Sequence, residues 1–366
     1  MKSCLKNDKI YSRGDNVYKL PLSKDLNDVE TLKLLSNANN RIGELKGILN
    51  QLPNPKILLN AITLGEAKDS SEIENIVTTY DEIYKEMTSS SSISANAKEV
   101  LRYRKAISLG FEELNKNGFI SIRSLINIQD CIESNKGGIR KLPGTVIKNT
   151  KTGEIVHTPP QSEKEILDYL ANLEKYINNE NEYDPLINMG LIHYQFETIH
   201  PFYDGNGRTG RILNVLYLVM MNKLSFPVLY LSRYIIQNKD EYYTLLKECN
   251  TDEENIRKFV RYMLKGIIVT SNFTIQFISE IVESMEQTTV LMKERLPKIY
   301  SKELVEYLYY EFYTKNEFLR NELNISRSTA NKYLKSLEEA GFLVSEKVGK
   351  EVIYKNVALF NLMEKW

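Results

Sequence analysis

The chain has 366 residues, long enough for two or three domains around a real hydrophobic core, and its 48 basic residues balance 48 acidic ones, which points to neither a nucleic-acid coat protein nor an acidic tail. Its three cysteines, Cys4, Cys131 and Cys249, are far apart and form no CxxC pair, which excludes a zinc ribbon or disulfide scaffold and suits a reducing compartment. The opening "MKSCLKNDKIYSRGDN" has no apolar targeting core, and no segment approaches the roughly 20 apolar residues of a membrane span, so a soluble cytoplasmic protein with no membrane contact is expected.

Helical patterns dominate. "DVETLKLLSNANNRIGELKGIL" places Leu34, Leu35, Ile42, Leu45 and Leu49 at helical spacing, and "LPNPK" punctuates it. A second helix, "PKILLNAITLGEAKDS", runs to Ser70, and the polar tract from Thr88 to Ala97 reads as a loop. "KEVLRYRKAISLGFEELN" and "SIRSLINIQDCIES" are helical again. From Gly144 to Pro160, two short β-prone runs flank "NTKTG" and predict a hairpin. "SEKE" at Ser162 is a capping box that starts a helix carrying Leu167, Leu170, Leu173 and Ile177.

An apolar helix from Pro185 to Glu197 then runs into "HPFYDGNGRTG", His200 to Gly210, and another helix follows from about Arg208. A helix, a glycine-bearing loop and a helix present backbone N–H groups to an anion. Gly205 and Gly207 supply the backbone freedom for a nest of amides, and the positive end of the second helix favours phosphate. Arg208 and Arg211 would oppose that helix dipole unless a polyphosphate were bound. Asp204 offers one hard oxygen, as Mg²⁺ bound to phosphate usually requires, and His200 can accept a proton near neutral pH. A base, a metal ligand, an anion nest and two guanidiniums compose a nucleotidyl-transfer site. Loop formation alone would need neither the histidine nor the paired arginines.

"HPFYDGNGRTGR" matches the HPFx[DE]GNGRxxR motif of the Fic (filamentation induced by cyclic AMP) family at every fixed position, and the chain resembles a protein adenylyltransferase of that family. The resemblance implies a mainly α fold: a helical Fic core with a small β-hairpin flap, and a C-terminal winged helix domain. It implies ATP and Mg²⁺ as ligands and a Ser, Thr or Tyr hydroxyl of a target protein, and of the chain itself, as acceptor. His200 would be the base and Asp204 the metal ligand. Gly205, Asn206 and Gly207 would form the anion hole, Thr209 and Gly210 would complete the ATP loop, and Arg208 and Arg211 would grip the β- and γ-phosphates. The hairpin resembles the flap that pairs with an extended target segment, with Thr145, Val146, Ile147 and Lys148 as its working edge. In "DEYYTLLKECN", Tyr242 and Asn250 match adenine-side positions, although a tyrosine at helical spacing is more often a core residue. His193 reads as a partly buried helix histidine and His157 as incidental.

"SSEIEN" fits the family's inhibitory pattern [ST]xxxE[GN], with Ser70, Glu74 and Asn75 in place. Spacing of i to i+4 puts Ser70 and Glu74 on one helical face. The resemblance implies that Glu74 takes Arg211 where the γ-phosphate would bind. The same glutamate would orient water for AMP removal in a de-adenylylating or bifunctional enzyme, and the sequence leaves both readings open.

The expected layout is an N-terminal helical region over residues 1–97, a Fic core over 98–270, a connecting helix over 271–297 and a winged helix-turn-helix over 298–366. In the last, Ser326 is an N-cap, Gly341 follows the recognition helix and "KVGK" turns the hairpin. Arg327, Lys332 and Lys335 lie on that helix's polar side, but ten basic and ten acidic residues from Ser301 onward give DNA no electrostatic footprint. A protein contact, including homodimerisation, is expected there at least as much as DNA binding by a nucleotide-sensing regulator.

Overall fold

The computed structural model describes residues 17–23, 25–51, 54–88, 94–133, 137–148, 153, 155–310, 312–348 and 351–365. In chain order the elements are α1 (Val29–Gln51), α2 (Pro55–Ile73), α3 (Tyr80–Thr88), α4 (Ala95–Asn117), α5 (Ile122–Ile132), β1 (Ile147–Lys148), β2 (Ile155–His157), α6 (Glu163–Asn178), α7 (Pro185–Ile199), α8 (Asn206–Met220), α9 (Leu231–Gln237), α10 (Lys239–Cys249), α11 (Glu253–Arg295), α12 (Lys302–Tyr310), β3 (Tyr313–Thr314), α13 (Asn316–Leu323), α14 (Arg327–Glu339), β4 (Leu343–Val348), β5 (Glu351–Asn356) and α15 (Val357–Lys365). The fold is mainly α, as expected. No helix among the described residues is long and apolar enough to cross a membrane.

Several boundaries differ from the sequence reading. The tract expected to loop from Thr88 to Ala97 yields to α4 at Ala95, and α3, which the sequence reading lacked, precedes it. The connecting helix is no separate element: α11 is one helix of 43 residues that begins at Glu253. In α6 the Ser162 hydroxyl accepts the Glu165 N–H, as the capping box requires, but the buried stripe runs through Ile166, Leu170, Leu173 and Ile177. Leu167 is 41% exposed. The expected turns at 149–152 and 349–350 lie outside the described residues.

The chain forms two compact units, Met1–Lys46 with Arg102–Ser271, and Gly47–Leu101 with Asn272–Trp366. Residues 1–97, expected as an N-terminal helical region, contribute to both units. In the first unit α7 is the centre. Every residue from Leu186 to Ile199 is buried, which requires neighbours on all sides, and α6, α8 and α10 supply them. Asp184 accepts the Leu186 N–H at 2.8 Å and Pro185 takes the first helical position, so the start of α7 is fixed by its own sequence.

In the second unit α12 packs on α2, and Asn60 donates to the Tyr310 carbonyl at 3.1 Å. The antiparallel sheet has the order β3-β5-β4, with Leu343 opposite Asn356 and Val348 opposite Glu351. Ser326 caps α14 through the Thr329 N–H, and Gly341 takes the left-handed φ of 81° that ends it.

Candidate active site

The loop between α7 and α8 is fixed by two left-handed residues and one side chain. His200 ends α7 with φ of 48°, its N–H donating to the Phe196 carbonyl at 3.0 Å, and Gly205 starts α8 with φ of 79°. Between them the Asn206 amide accepts the Phe202 N–H and donates to the Phe202 carbonyl, both at 2.8 Å, while the Phe202 ring is buried beneath. Asn206 therefore contributes its side chain to loop closure and only its backbone to the expected anion hole. The first intrahelical bond of α8 runs from the Thr209 N–H to the Gly205 carbonyl at 2.9 Å. The Asn206 and Gly207 amides precede it, at the end where a helix presents donors to an anion.

Arg208 and Arg211 are each 3% exposed on the first turns of α8. Arg208 is paired with Glu133, just past the end of α5, and lies 3.9 Å from the Asp204 carboxylate. Asp204 is 68% exposed; its carboxylate accepts the Gly205 N–H at 2.7 Å, and its carbonyl accepts Gln129 Nε2 at 3.1 Å. The end of α5 thus grips the loop from one side. A side chain at Gly205 would press on Glu133 Cγ at 3.1 Å. Thr209 and Gly210 are buried, and a methyl at Gly210 would collide with Glu197 and sit 2.9 Å from the Phe196 ring, so this glycine lets α7 and α8 approach. Among the described residues no three carboxylate, histidine or cysteine groups converge on a metal position. Asp204 alone offers one hard ligand, a set that fits Mg²⁺ in company with phosphate oxygens.

Arg140, which the sequence does not single out, and His157, expected to be incidental, hold this loop in place. Arg140 is completely buried, its Nε donating to the His200 carbonyl at 2.7 Å and its Nη2 to the Ile199 carbonyl at 3.2 Å. A cation on the last carbonyls of α7 is favoured by the helix dipole, and burial draws its pKa down to about 10 without discharging it at neutral pH. No periodicity marks an arginine in "GGIRKLPG", so no sequence signal singled it out. His157 is not incidental. Its buried ring donates from Nε2 to the Thr198 carbonyl at 2.8 Å, and Nδ1 accepts from Asn250 at 2.9 Å.

That contact engages the Asn250 amide expected to face adenine. Tyr242 is 2% exposed, and its hydroxyl accepts from His193 Nε2 at 2.8 Å. It packs with Phe259 and Tyr262, and stacking on a base would require the ring to leave that core. Tyr243, edge-on to it at 5.2 Å, is the more exposed ring of the pair. His193 is fully buried, its Nδ1 accepting from Asn214 at 3.0 Å. Burial, with Arg211 adding to it, draws its pKa down to about 3, so it is a neutral core histidine.

Of the expected flap edge, only Ile147 and Lys148 form strand, opposite His157 and Ile155 with an irregularity between the pairs. Thr145 and Val146 precede the strand. Gln161 ties this approach down, accepting the Gly144 N–H at 2.7 Å and donating to the Thr145 carbonyl at 3.0 Å.

The "SSEIEN" segment belongs to the second unit and is the end of α2. Ser70 is buried within the helix, whereas Glu74 is the residue after its last helical position. Asn75 has φ of 65°, and the N–H groups of Asn75 and Ile76 return to the carbonyls of Glu72 and Ser71 at 2.9 and 3.0 Å. This is a Schellman end, and it explains why asparagine or glycine closes the pattern. It does not explain Glu74, since a carboxylate at a helix C-terminus opposes the dipole.

Comparison with known proteins covers three stretches of the chain. Residues 32–112 match the profile of the Fic/DOC family N-terminal region, 119–218 that of the Fic/DOC family, and 284–359 that of the C-terminal domain of SoFic-like protein adenylyltransferases. The protein adenylyltransferase fic-1 of Caenorhabditis briggsae is 33% identical over 145 residues, 38% of this chain and 27% of that protein. The protein adenylyltransferase Fic of Culex quinquefasciatus is 30% identical over 153 residues, 41% of this chain and 28% of that protein. The matches thus span little more than a quarter of these relatives' length. Among solved structures, a Fic family protein from Desulfovibrio desulfuricans G20 shares the fold with a TM-score of 0.60 at 18% identity, covering 93% of this chain and 98% of that one. Fic-1 of Caenorhabditis elegans has a TM-score of 0.50 at 21% identity, covering 68% and 73%.

Proposed function

The chain belongs to the Fic family, and from that premise we propose that it transfers AMP from ATP to a Ser, Thr or Tyr hydroxyl of a target protein and of itself. The observation that carries the reading is the loop from His200 to Arg211. It combines an imidazole, an exposed carboxylate, first-turn amides and two buried guanidiniums, with a conformation locked by Asn206 and Arg140. In the transfer the acceptor oxygen bonds to the α-phosphorus, the bond to the departing pyrophosphate breaks, and the hydroxyl proton passes to His200. The Asn206 and Gly207 amides hold phosphate oxygens, while Arg208 and Arg211 bind the β- and γ-phosphates. Asp204 would hold Mg²⁺, which when bound neutralises phosphate charge and eases pyrophosphate departure. The buried guanidiniums act in a low-dielectric setting, where they bind phosphate more strongly than in water.

We assign Glu74 the role of a brake that takes the place of the γ-phosphate on Arg211. Its position at the C-terminal end of α2, where the helix dipole disfavours a carboxylate, supports a role other than capping. The order of α12, β3, α13, α14, β4 and β5 supports a winged helix. Its ten basic and ten acidic residues from Ser301 onward favour a protein contact, such as a second copy of the chain, over DNA.

Labelling with ATP carrying the label on its α-phosphate tests the reading. Label on the protein should rise in Glu74→Gly and fall ~10²–10⁴-fold when His200→Ala is added, with ATP still bound. Full labelling without His200 would remove its role as base, and equal labelling with and without Glu74 would remove the brake.

A further inference from the structure

Beside His200 the chain presents two large apolar side chains to solvent on backbone that is held on both sides. Leu142 is 68% exposed and Tyr203 47% exposed. The Arg140 N–H donates to the Pro201 carbonyl at 2.9 Å, and Ile139 bridges Phe202 in antiparallel fashion. The Tyr203 hydroxyl then accepts the N–H of Lys141 at 2.9 Å and of Leu142 at 3.4 Å. Beyond Leu142, Gln161 fixes Gly144 and Thr145. A single exposed leucine on a protein surface calls for no explanation. Here, however, the backbone is held on both sides, the Tyr203 hydroxyl reaches the Leu142 N–H, and the two residues stand between the candidate base and the start of β1.

We propose that Leu142 and Tyr203 form an apolar contact that selects a large aliphatic or aromatic residue flanking the modified hydroxyl of the target; this rests on the transfer reading above. Any acceptor hydroxyl must reach the imidazole of His200. Three Cα steps separate His200 from Tyr203, a span of at most about 11 Å. Extended chain covers that distance in about three residues. The selected side chain therefore lies within about three positions of the hydroxyl. The platform is preorganised, so burying an apolar side chain on it loses little ordering entropy. Full burial of a leucine-sized group corresponds to roughly ten-fold or more in kcat/KM. Arg140 and Tyr203 are positioning residues for this strip, and Leu142 is its specificity residue.

A library of peptides with a central Ser, Thr or Tyr and every amino acid in turn at each flanking position tests the proposal. The Glu74→Gly protein and α-labelled ATP are the other components. Leu, Ile, Met or Phe should be preferred at one position within three of the hydroxyl. For the preferred peptide, Leu142→Ala should raise the peptide KM about ten-fold and leave the KM for ATP unchanged. Because Leu142 is exposed, its truncation leaves the fold intact; Leu142→Arg should replace the apolar preference by an acidic one. Self-labelling without any apolar preference among the peptides, or a preference untouched in Leu142→Ala, overturns this proposal alone. Absence of label from both peptides and protein would remove the transfer reading, and this proposal with it.

Discussion

His193 and Arg140 lie on the same helix-and-loop assembly, and burial lowers the pKa of both, yet only one of them is discharged at neutral pH. The imidazole of His193 gives up its proton because burial penalises the charged ring and Arg211 disfavours a second cation, while Asn214 and Tyr242 satisfy the neutral form. Arg140 keeps its charge, because two carbonyls at the end of α7 accept from it and a guanidinium is far harder to deprotonate. The histidine therefore has a pH consequence. Its pKa in the folded chain is about 3, below the ordinary 6.5, so the unfolded chain binds a proton that the folded chain excludes. Its stabilising contribution is complete above pH 6.5 and declines as the pH falls toward 3. Between pH 7 and pH 5, wild type should lose about 2 kcal/mol relative to His193→Gln, read as a narrowing gap in urea midpoint. Parallel pH profiles for the two proteins would show that His193 titrates normally.

At the scale of elements, the flap is a two-stranded ribbon too short to hold itself, so its geometry depends on what fastens it. His157 joins β2 to the last turn of α7 and to the end of α10, and Gln161 fixes the approach to β1. Replacing His157 by Phe keeps the volume and deletes both hydrogen bonds, leaving the Thr198 carbonyl without that donor. A stability loss of about 1–3 kcal/mol is expected, with a higher KM for target than for ATP, and Asn250→Ala should reproduce part of it. Equal rises in both KM values would place the effect on the nucleotide loop instead. The sequence made the loop, the hairpin and the helix caps legible, because Gly205, Ser162 and Gly341 act through local backbone rules. It could not reveal His157 or Arg140. Their partners are backbone carbonyls 41 and 60 residues away, and a carbonyl carries no residue identity. Tyr242 and Asn250 matched a motif, but their partners His193 and His157, 49 and 93 residues away, are brought to them only by the tertiary fold.

The division of the whole molecule was the least legible feature, because it is discontinuous along the chain. Residues 47–101 join the C-terminal residues 272–366, so the helix that leads to Glu74 is built into the same compact unit as the C-terminal sheet. Two contacts make this concrete. α12 packs along α2, and α3, only a few residues beyond Glu74, is fastened to the sheet. Tyr84 of α3 lies 4.8 Å from the Phe312 ring and 4.9 Å from the Tyr313 ring, Asp81 accepts the Tyr313 hydroxyl at 2.8 Å, and Lys85 bridges Asp81 and Glu346 at 2.7 and 2.8 Å. The exposed ion pairs contribute little, whereas the buried ring carries most of the attachment. If Glu74 brakes transfer, the firmness of the brake depends on this aromatic joint, although no residue of the joint belongs to the inhibitory pattern. Tyr84→Ala should cost the second unit about 3–5 kcal/mol and raise self-labelling of the otherwise wild-type chain. Added to Glu74→Gly, the same change should raise labelling no further, because the brake it loosens is already gone. A Tyr84→Ala protein that unfolds more readily yet labels itself at the wild-type rate would show that the C-terminal sheet supports α3 without any hold on Glu74.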